Sequence, residues 1–199
     1  VGDILFDLKG KGNQKTGPGG HVDTNWIKMS DWRFVASILC AFFGDILVMM
    51  GIYSLGMQIV RTNAVLGYFT AITGCAGTVG GVMIHTSLCV QPLIYKRLIE
   101  SGHPELVDSM LKTFYKAVIF PFVFGYLLLM TPCVTTAIAI FTGCLDVPQW
   151  FALLNSISFM IVGITLRKIK PQWFCDLPGI IMPSMGLSML GVIGIINLM

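Results

Sequence analysis

Long apolar blocks separated by short polar breaks dominate the chain, at residues 34–60, 64–95, 117–145, 150–166 and 177–199. Each block is apolar all round rather than along one stripe, so none keeps a polar face for water. About 20 apolar residues suffice to cross a hydrocarbon core, which makes each block a candidate transmembrane helix. The third block contains Pro121 and Pro132. It is too short for two crossings, and one long kinked helix is expected there. Val1 to Leu8 has the same character but cannot cross by itself; it reads as the C-terminal end of a first span needing about 12 to 15 further apolar residues upstream. The expected fold is all-α: a single membrane domain, a polytopic transmembrane helix bundle with five complete spans plus the end of a truncated first span.

Local signals support the boundaries. Ser30-Asp31, Thr62-Asn63, Asp146 before Pro148 and Asp176 before Pro178 each place a capping side chain, with or without a first-turn proline, ahead of an apolar run. Residues 104–116 begin with Pro104 and repeat Leu106, Val107, Met110, Leu111 and Phe114 at helical spacing. That segment is read either as an amphipathic helix at the interface or as an extension of the third block. In the second block, Gly77 and Gly81 form a small-xxx-small face against which a neighbouring helix can pack closely.

Composition narrows the class and charge orients it. Of 199 residues, 12% are charged and 55% hydrophobic, with a mean hydropathy of +0.79. A water-soluble domain of this size is thereby disfavoured. Twelve of the thirteen Lys and Arg residues fall in alternate loops, 9–33, 96–116 and 167–176. The positive-inside rule makes those loops cytoplasmic. A net charge of +3 suits anionic lipid and gives no reason to expect a nucleic-acid partner.

Several tempting motifs fail. The first loop, "KGKGNQKTGPGG", lacks glycine where a phosphate-binding loop requires it and follows a helix rather than a strand. It is expected to be a mobile basic connector, with His21 and Asp23 in a solvated turn. The six cysteines form no CxxC pair, and the three histidines are dispersed. Neither a metal site nor a cofactor is expected.

One layer of polar residues remains to be explained. At about 1.5 Å rise per residue, Asp45 lies twelve residues past Arg33, Asn155 twelve before Arg167, and Ser188 twelve after Asp176. His85 is eleven residues before Lys96 and Tyr126 ten after Lys116. All five therefore sit about 15 to 18 Å from the cytoplasmic flanks. A carboxylate at such depth costs about 2.5 to 3.5 kcal/mol on insertion scales, so it needs a partner or a task. Asp45 and His85 are the candidate catalytic pair, and Tyr126, Asn155 and Ser188 are candidate ligand-binding residues. Asp3 and Asp7 are shallower, one helical turn apart on one face. They join the candidate set, although snorkelling to headgroups can satisfy them. Helix tying, with Asp45 bonded to His85 or Asn155, is the structural alternative.

Two resemblances follow from these segments. "GDILFDLKGKGNQKTG", "IHTSLCVQPLIYKRLIESG", "TGCLDVPQWFALLNSISFMIVGITLRKI" and "LPGIIMPSMGLSMLGVIGIINLM" together resemble a family of small bacterial membrane proteins with a domain of unknown function. That resemblance implies the architecture and a multi-pass location in the bacterial plasma (inner) membrane. "SILCAFFGDILVMMG" with the later "GGVMIH" is similar to the GD and histidine segments of lysoplasmalogenase-like membrane hydrolases. It implies that Asp45 positions or activates water while His85 acts as general acid or base.

Three classes of function stay open. A lipid hydrolase requires Asp45 and His85 beside a cavity, and a proton-linked small-solute transporter requires a polar path across the whole membrane. A non-catalytic accessory protein requires neither. The expectation adopted is a membrane protein that binds or processes a lipid or small amphiphile around Asp45 and His85, with membrane lipids as its partners.

Overall fold

A computed structural model describes residues 1–16 and 22–199, apart from the side chains of residues 182 and 183. Its frame is three long helices, α2 (Asp31–Val60), α3 (Ala64–Glu100) and α4 (Val107–Phe141). Among the described residues these are the helices long and apolar enough to cross a membrane. Preceding them are α1 (Gly2–Asp7) and a two-stranded antiparallel pair, β1 (Lys15–Thr16) and β2 (Val22–Asp23). After them come α5 (Ser156–Ile169), α6 (Pro171–Phe174), α7 (Leu177–Ile180) and α8 (Gly186–Ile196).

Glycines set how closely the long helices pack. A Cβ built on Gly56 would lie 2.9 Å from the Gly67 carbonyl oxygen, and one on Gly80 only 2.7 Å from Gly125 Cα. Backbone therefore meets backbone where α2 crosses α3 and where α3 crosses α4. Asn63 supports the α2–α3 turn as an N-cap, its side chain accepting from Leu66 N at 3.0 Å. Two apolar cores result. Ile52, Leu55, Ile59, Leu129, Leu190 and Ile193 form one, and Phe6, Val22, Trp26, Phe34, Val107 and Leu111 the other. Along α2, Phe34 belongs to the second core and Ile52 to the first, and Asp45 falls between them.

Not all the expected spans form. The third block is one continuous helix through both prolines, and residues 104–116 are its extension after a single 3-10 turn. Blocks 150–166 and 177–199, by contrast, are interrupted, so five complete helical spans are not found. Gln149–Leu153 is a 3-10 turn after Pro148, and α5 begins only at Ser156. There the Asn155 side chain accepts from Ile157 N and Ser158 N, which fixes a helix start inside the apolar run. In the last block α7 gives way to a π-turn, Ile181–Met185, before α8. Pro183 brings no N–H to the helical ladder, and the wider turn accommodates that loss.

The described part of the basic loop, residues 9–16 and 22–33, is folded rather than a mobile connector; residues 17–21 lie outside the described residues. Asn25 Nδ2 donates to the Lys9 carbonyl at 3.0 Å and the Lys11 carbonyl at 3.2 Å. Asp23, expected in a solvated turn, is 3% exposed. It accepts from Asn13 Nδ2 at 2.6 Å and lies 3.6 Å from Lys9 Nζ. His21 lies outside the described residues. Arg33 reaches back to the carbonyls of Leu5 and Leu8, at 3.1 and 2.9 Å, which ties α1 to the start of α2.

Candidate functional site

Between the two apolar cores lies a cavity of about 710 Å³. Helix α2 contributes Asp45 to its wall, α3 contributes Gly81 and His85, and α1 contributes Asp3 and Asp7. Tyr126 comes from α4, Ser184 from the π-turn, and Ser188 from α8. The apolar part includes Ile84, Leu88, Phe122, Leu129, Met160 and Leu187. One end holds Lys9, Lys15, Asp23 and Arg167 and continues into a smaller cavity of about 380 Å³. The result is an apolar chamber with polar groups on one wall and charges at one end, the usual form of a small-molecule site.

Six of the seven sequence candidates therefore line one space, namely Asp3, Asp7, Asp45, His85, Tyr126 and Ser188. Asn155 does not. Its Oδ1 caps α5 and its Nδ2 donates to the Ala152 carbonyl at 2.7 Å. Capping uses that side chain fully. Ser188 Oγ donates to the Ser184 carbonyl at 2.5 Å. Asp7 is held by Lys9 Nζ at 2.8 Å.

His85 is wired to α1 rather than to Asp45. Its Nδ1 lies 3.4 Å from Asp3 Oδ1, and its Nε2 lies 2.7 Å from Ser37 Oγ. Ser37 Oγ also donates to the Gly2 carbonyl at 2.7 Å. A hydroxyl has one proton, and a carbonyl can only accept, so His85 Nε2 carries the proton of the Ser37 contact. Nδ1 faces the Asp3 carboxylate across a longer contact, close enough for electrostatic attraction but not a hydrogen bond. Ser184 Oγ donates to the other oxygen of Asp3.

The order Ser37, His85, Asp3 has the connectivity of a hydrolytic triad. Burial rules out that role for Ser37, which is 0% exposed and does not line the cavity. No substrate carbonyl can reach its Oγ. Nε2 of His85 is committed to Ser37, and Nδ1 stands against the Asp3 carboxylate, so neither nitrogen is aimed at Asp45 or at a water it would activate. Asp45 differs from these groups. Among the described residues it makes no hydrogen bond and no ion pair, and a Cβ on Gly81 would lie 3.2 Å from its Oδ2. Having no side chain, Gly81 lets the carboxylate lie against α3.

At the charged end, Lys9 is held between Asp7 and Asp23, at 2.8 and 3.6 Å. Burial disfavours its charge, but the two carboxylates outweigh this and raise its pKa above the ordinary lysine value. Lys15 Nζ stands 3.9 Å from Asp23. Among the described residues no cluster of His, Cys, Asp and Glu has the makings of a metal site.

Sequence reasoning missed Ser37, Ser184 and Lys9. Ser37 and Ser184 are single polar residues whose partners lie 35 to 181 positions away, and Lys9 reads as one more loop lysine until folding sets it between Asp7 and Asp23. The only local signal was Ser37 itself, a hydroxyl in an apolar run.

A family model matches residues 1–199, described as a family of unknown function (DUF6796), and the chain belongs to that family. No curated protein and no solved structure matches it.

Proposed function

We propose, for this member of a family without an assigned activity, that it is a multi-pass membrane protein which binds a lipid or small amphiphile in the chamber between α1, α2, α3, α4 and α8. The observation that carries this reading is the cavity of about 710 Å³, apolar over most of its wall and lined by Asp3, Asp45 and His85 at one place. A chamber of that volume matches a ligand of lipid-fragment size. Apolar walls favour an alkyl chain, and the polar groups orient its head.

Binding is preferred over hydrolysis for this site. The engaged nitrogens of His85 and the burial of Ser37 leave Asp45 as the one unpartnered acid or base among the candidates. Proton-linked transport stays the runner-up: Asp3 and His85 bring two titratable groups within 3.4 Å, but among the described residues no polar path beyond the chamber supports a route across the membrane. In the proposed topology the interrupted segments 149–169 and 177–196 also cross, as discontinuous helices lining a cavity do. Charge alternation then puts loops 9–33, 96–116 and 167–176 on the cytoplasmic side of a bacterial plasma membrane.

The test is native mass spectrometry of the purified full chain, released from mild detergent after exposure to amphiphiles carrying a twelve-carbon chain. One retained molecule per chain is expected, and filling the chamber by Gly44→Phe or Gly81→Leu should remove it. Equal retention by wild type and both filled variants would refute the chamber as the site.

A further inference from the structure

The charges lining the chamber are unevenly partnered. At its charged end the carboxylates and ammonium groups stand beside one another: Lys9 with Asp7 and Asp23, and Lys15 near Asp23. At the inner wall Asp3 is taken up by His85 and Ser184. Asp45 alone among the chamber's carboxylates has no partner in the described residues. We infer that the amphiphile bound here is cationic, with an ammonium head that pairs with Asp45 and an alkyl chain lying between α4 and α5. This inference rests on the amphiphile-binding reading above and names its ligand class.

Three observations besides the missing partner support it. First, one flank of Asp45 is bare: a Cβ on Gly44 would meet nothing within 4 Å, while the carboxylate lies against the side-chain-free face of Gly81. A bulky ammonium therefore has room to reach the carboxylate.

Second, the wall is aromatic as well as apolar. Phe122 and Tyr126 lie one turn apart on α4 with nearly parallel rings, 6.2 Å between centroids, and both line the chamber with Phe6 and Tyr115. Ring faces attract an ammonium and offer nothing comparable to a sulfate or phosphate.

Third, Val118, Phe122 and Tyr126 repeat every four residues along α4, and Met160, Ile164 and Arg167 do so nearly along α5. Both stripes line the chamber, while α5 packs chiefly against α7 and the π-turn. The two helices thus bring two mainly apolar stripes to the same chamber, along which a hydrocarbon chain can lie.

A negatively charged head would meet the opposite situation. It would face Asp45 and Asp3 at the inner wall, the Lys9 ammonium is already engaged by carboxylates, and Lys15, its side chain 61% exposed, belongs to the charged end and not to the wall around Asp45. Arg167, the remaining cation of the lining, sits at the far end of the α5 stripe.

The experiment measures equilibrium binding to the full chain in nanodiscs of zwitterionic phosphatidylcholine, with binding to empty discs subtracted. Probes are dodecyltrimethylammonium, dodecyl sulfate and a non-ionic dodecyl ether, together with tetramethylammonium as a head without a chain. Dodecyltrimethylammonium is expected to bind about tenfold or more tightly than the other two chains, since one desolvated ion pair suffices for that ratio. Tetramethylammonium should bind far more weakly than its dodecyl form. Asp45→Asn should abolish the preference and leave residual binding equal to that of the ether. Should Asp45→Asn fail to fold, Gly81→Ala, whose methyl would stand 3.2 Å from Asp45 Oδ2, should reduce the preference in its place. The wild-type panel decides without either variant. Equal binding of all three chains, or a preference for sulfate, overturns the cationic head while leaving the amphiphile reading intact. Equal binding of tetramethylammonium and its dodecyl form overturns the chain between α4 and α5. Binding of no probe overturns both inferences together.

Discussion

Gly77→Ala tests the packing that sets the width of the chamber. Gly77 lies one turn from Gly81 and two from His85 on α3, where that helix meets α4. A Cβ there would stand 2.5 Å from Leu129 N and 2.7 Å from both Leu128 C and Leu129 Cα. Ordinary contact begins near 3.4 Å, so α4 must retreat by about 0.9 Å, the difference between those distances. The neighbours are backbone atoms, which cannot rotate away as a side chain would. Overpacking of this kind costs about 2 to 3 kcal/mol. Replacing glycine by alanine in a helix returns about 1 kcal/mol, which leaves a net loss of about 1 to 2 kcal/mol. For a chain of this size each kcal/mol corresponds to about 2 to 4 °C in Tm. Thermal unfolding in one detergent, followed by circular dichroism, should therefore show a fall of about 2 to 8 °C. Gly51 is the matched control, because a Cβ there meets nothing within 4 Å. Gly51→Ala should raise Tm by about 2 to 4 °C through the propensity gain alone. A Gly77→Ala protein as stable as wild type would refute the close approach of α3 and α4.

Further outcomes follow from the same geometry. Ser37→Ala removes the partner of both the Gly2 carbonyl and His85 Nε2 and should cost about 1 to 3 kcal/mol of stability in denaturant titration; amphiphile binding should change less than threefold, whereas a nucleophilic Ser37 would make this change abolish turnover of any ester substrate. Asn25→Ala frees the carbonyls of Lys9 and Lys11, and limited proteolysis should cut the 9–33 segment faster, consistent with a loss of about 1 to 3 kcal/mol locally. Lys9 has a raised pKa because Asp7 and Asp23 outweigh its burial, so its stabilising contribution is complete below the ordinary lysine range and disappears as pH rises through its own higher value. Fluorescence of the buried Trp26 should consequently change in an alkaline step above about pH 10, and Lys9→Met should lack that step.

Much of the fold was legible because its cause is compositional. The run from Ala117 to Leu145 with two prolines reads as one helix, and α4 does pass through Pro121 and Pro132 unbroken. Depth counted from the cytoplasmic flanks brought Asp45, His85, Tyr126 and Ser188 to one level, and they line one chamber. The same count misplaced Asn155, since equal depth says nothing of which way a side chain points. At that position local capping chemistry consumed the amide. Hydropathy also carried blocks 150–166 and 177–199 too far. It averages over a window, and a single cap or a proline within the window ends a helix without altering the average.

What the sequence by itself determined is the class: long apolar blocks, few charges, and basic residues in alternate loops leave a helical membrane-type chain as the outcome, because unpaired backbone cannot be left in hydrocarbon. Which polar groups meet was decided only by tertiary structure. His85 pairs with Asp3, 82 positions away, and not with Asp45, since α1 is pinned to α2 by Arg33 and Ser37. Helix rotation and the close glycine crossings choose those neighbours, and neither is written in spacing along one chain. The same packing leaves Asp45 facing open space, and from that vacancy beside a carboxylate the proposed ligand chemistry derives.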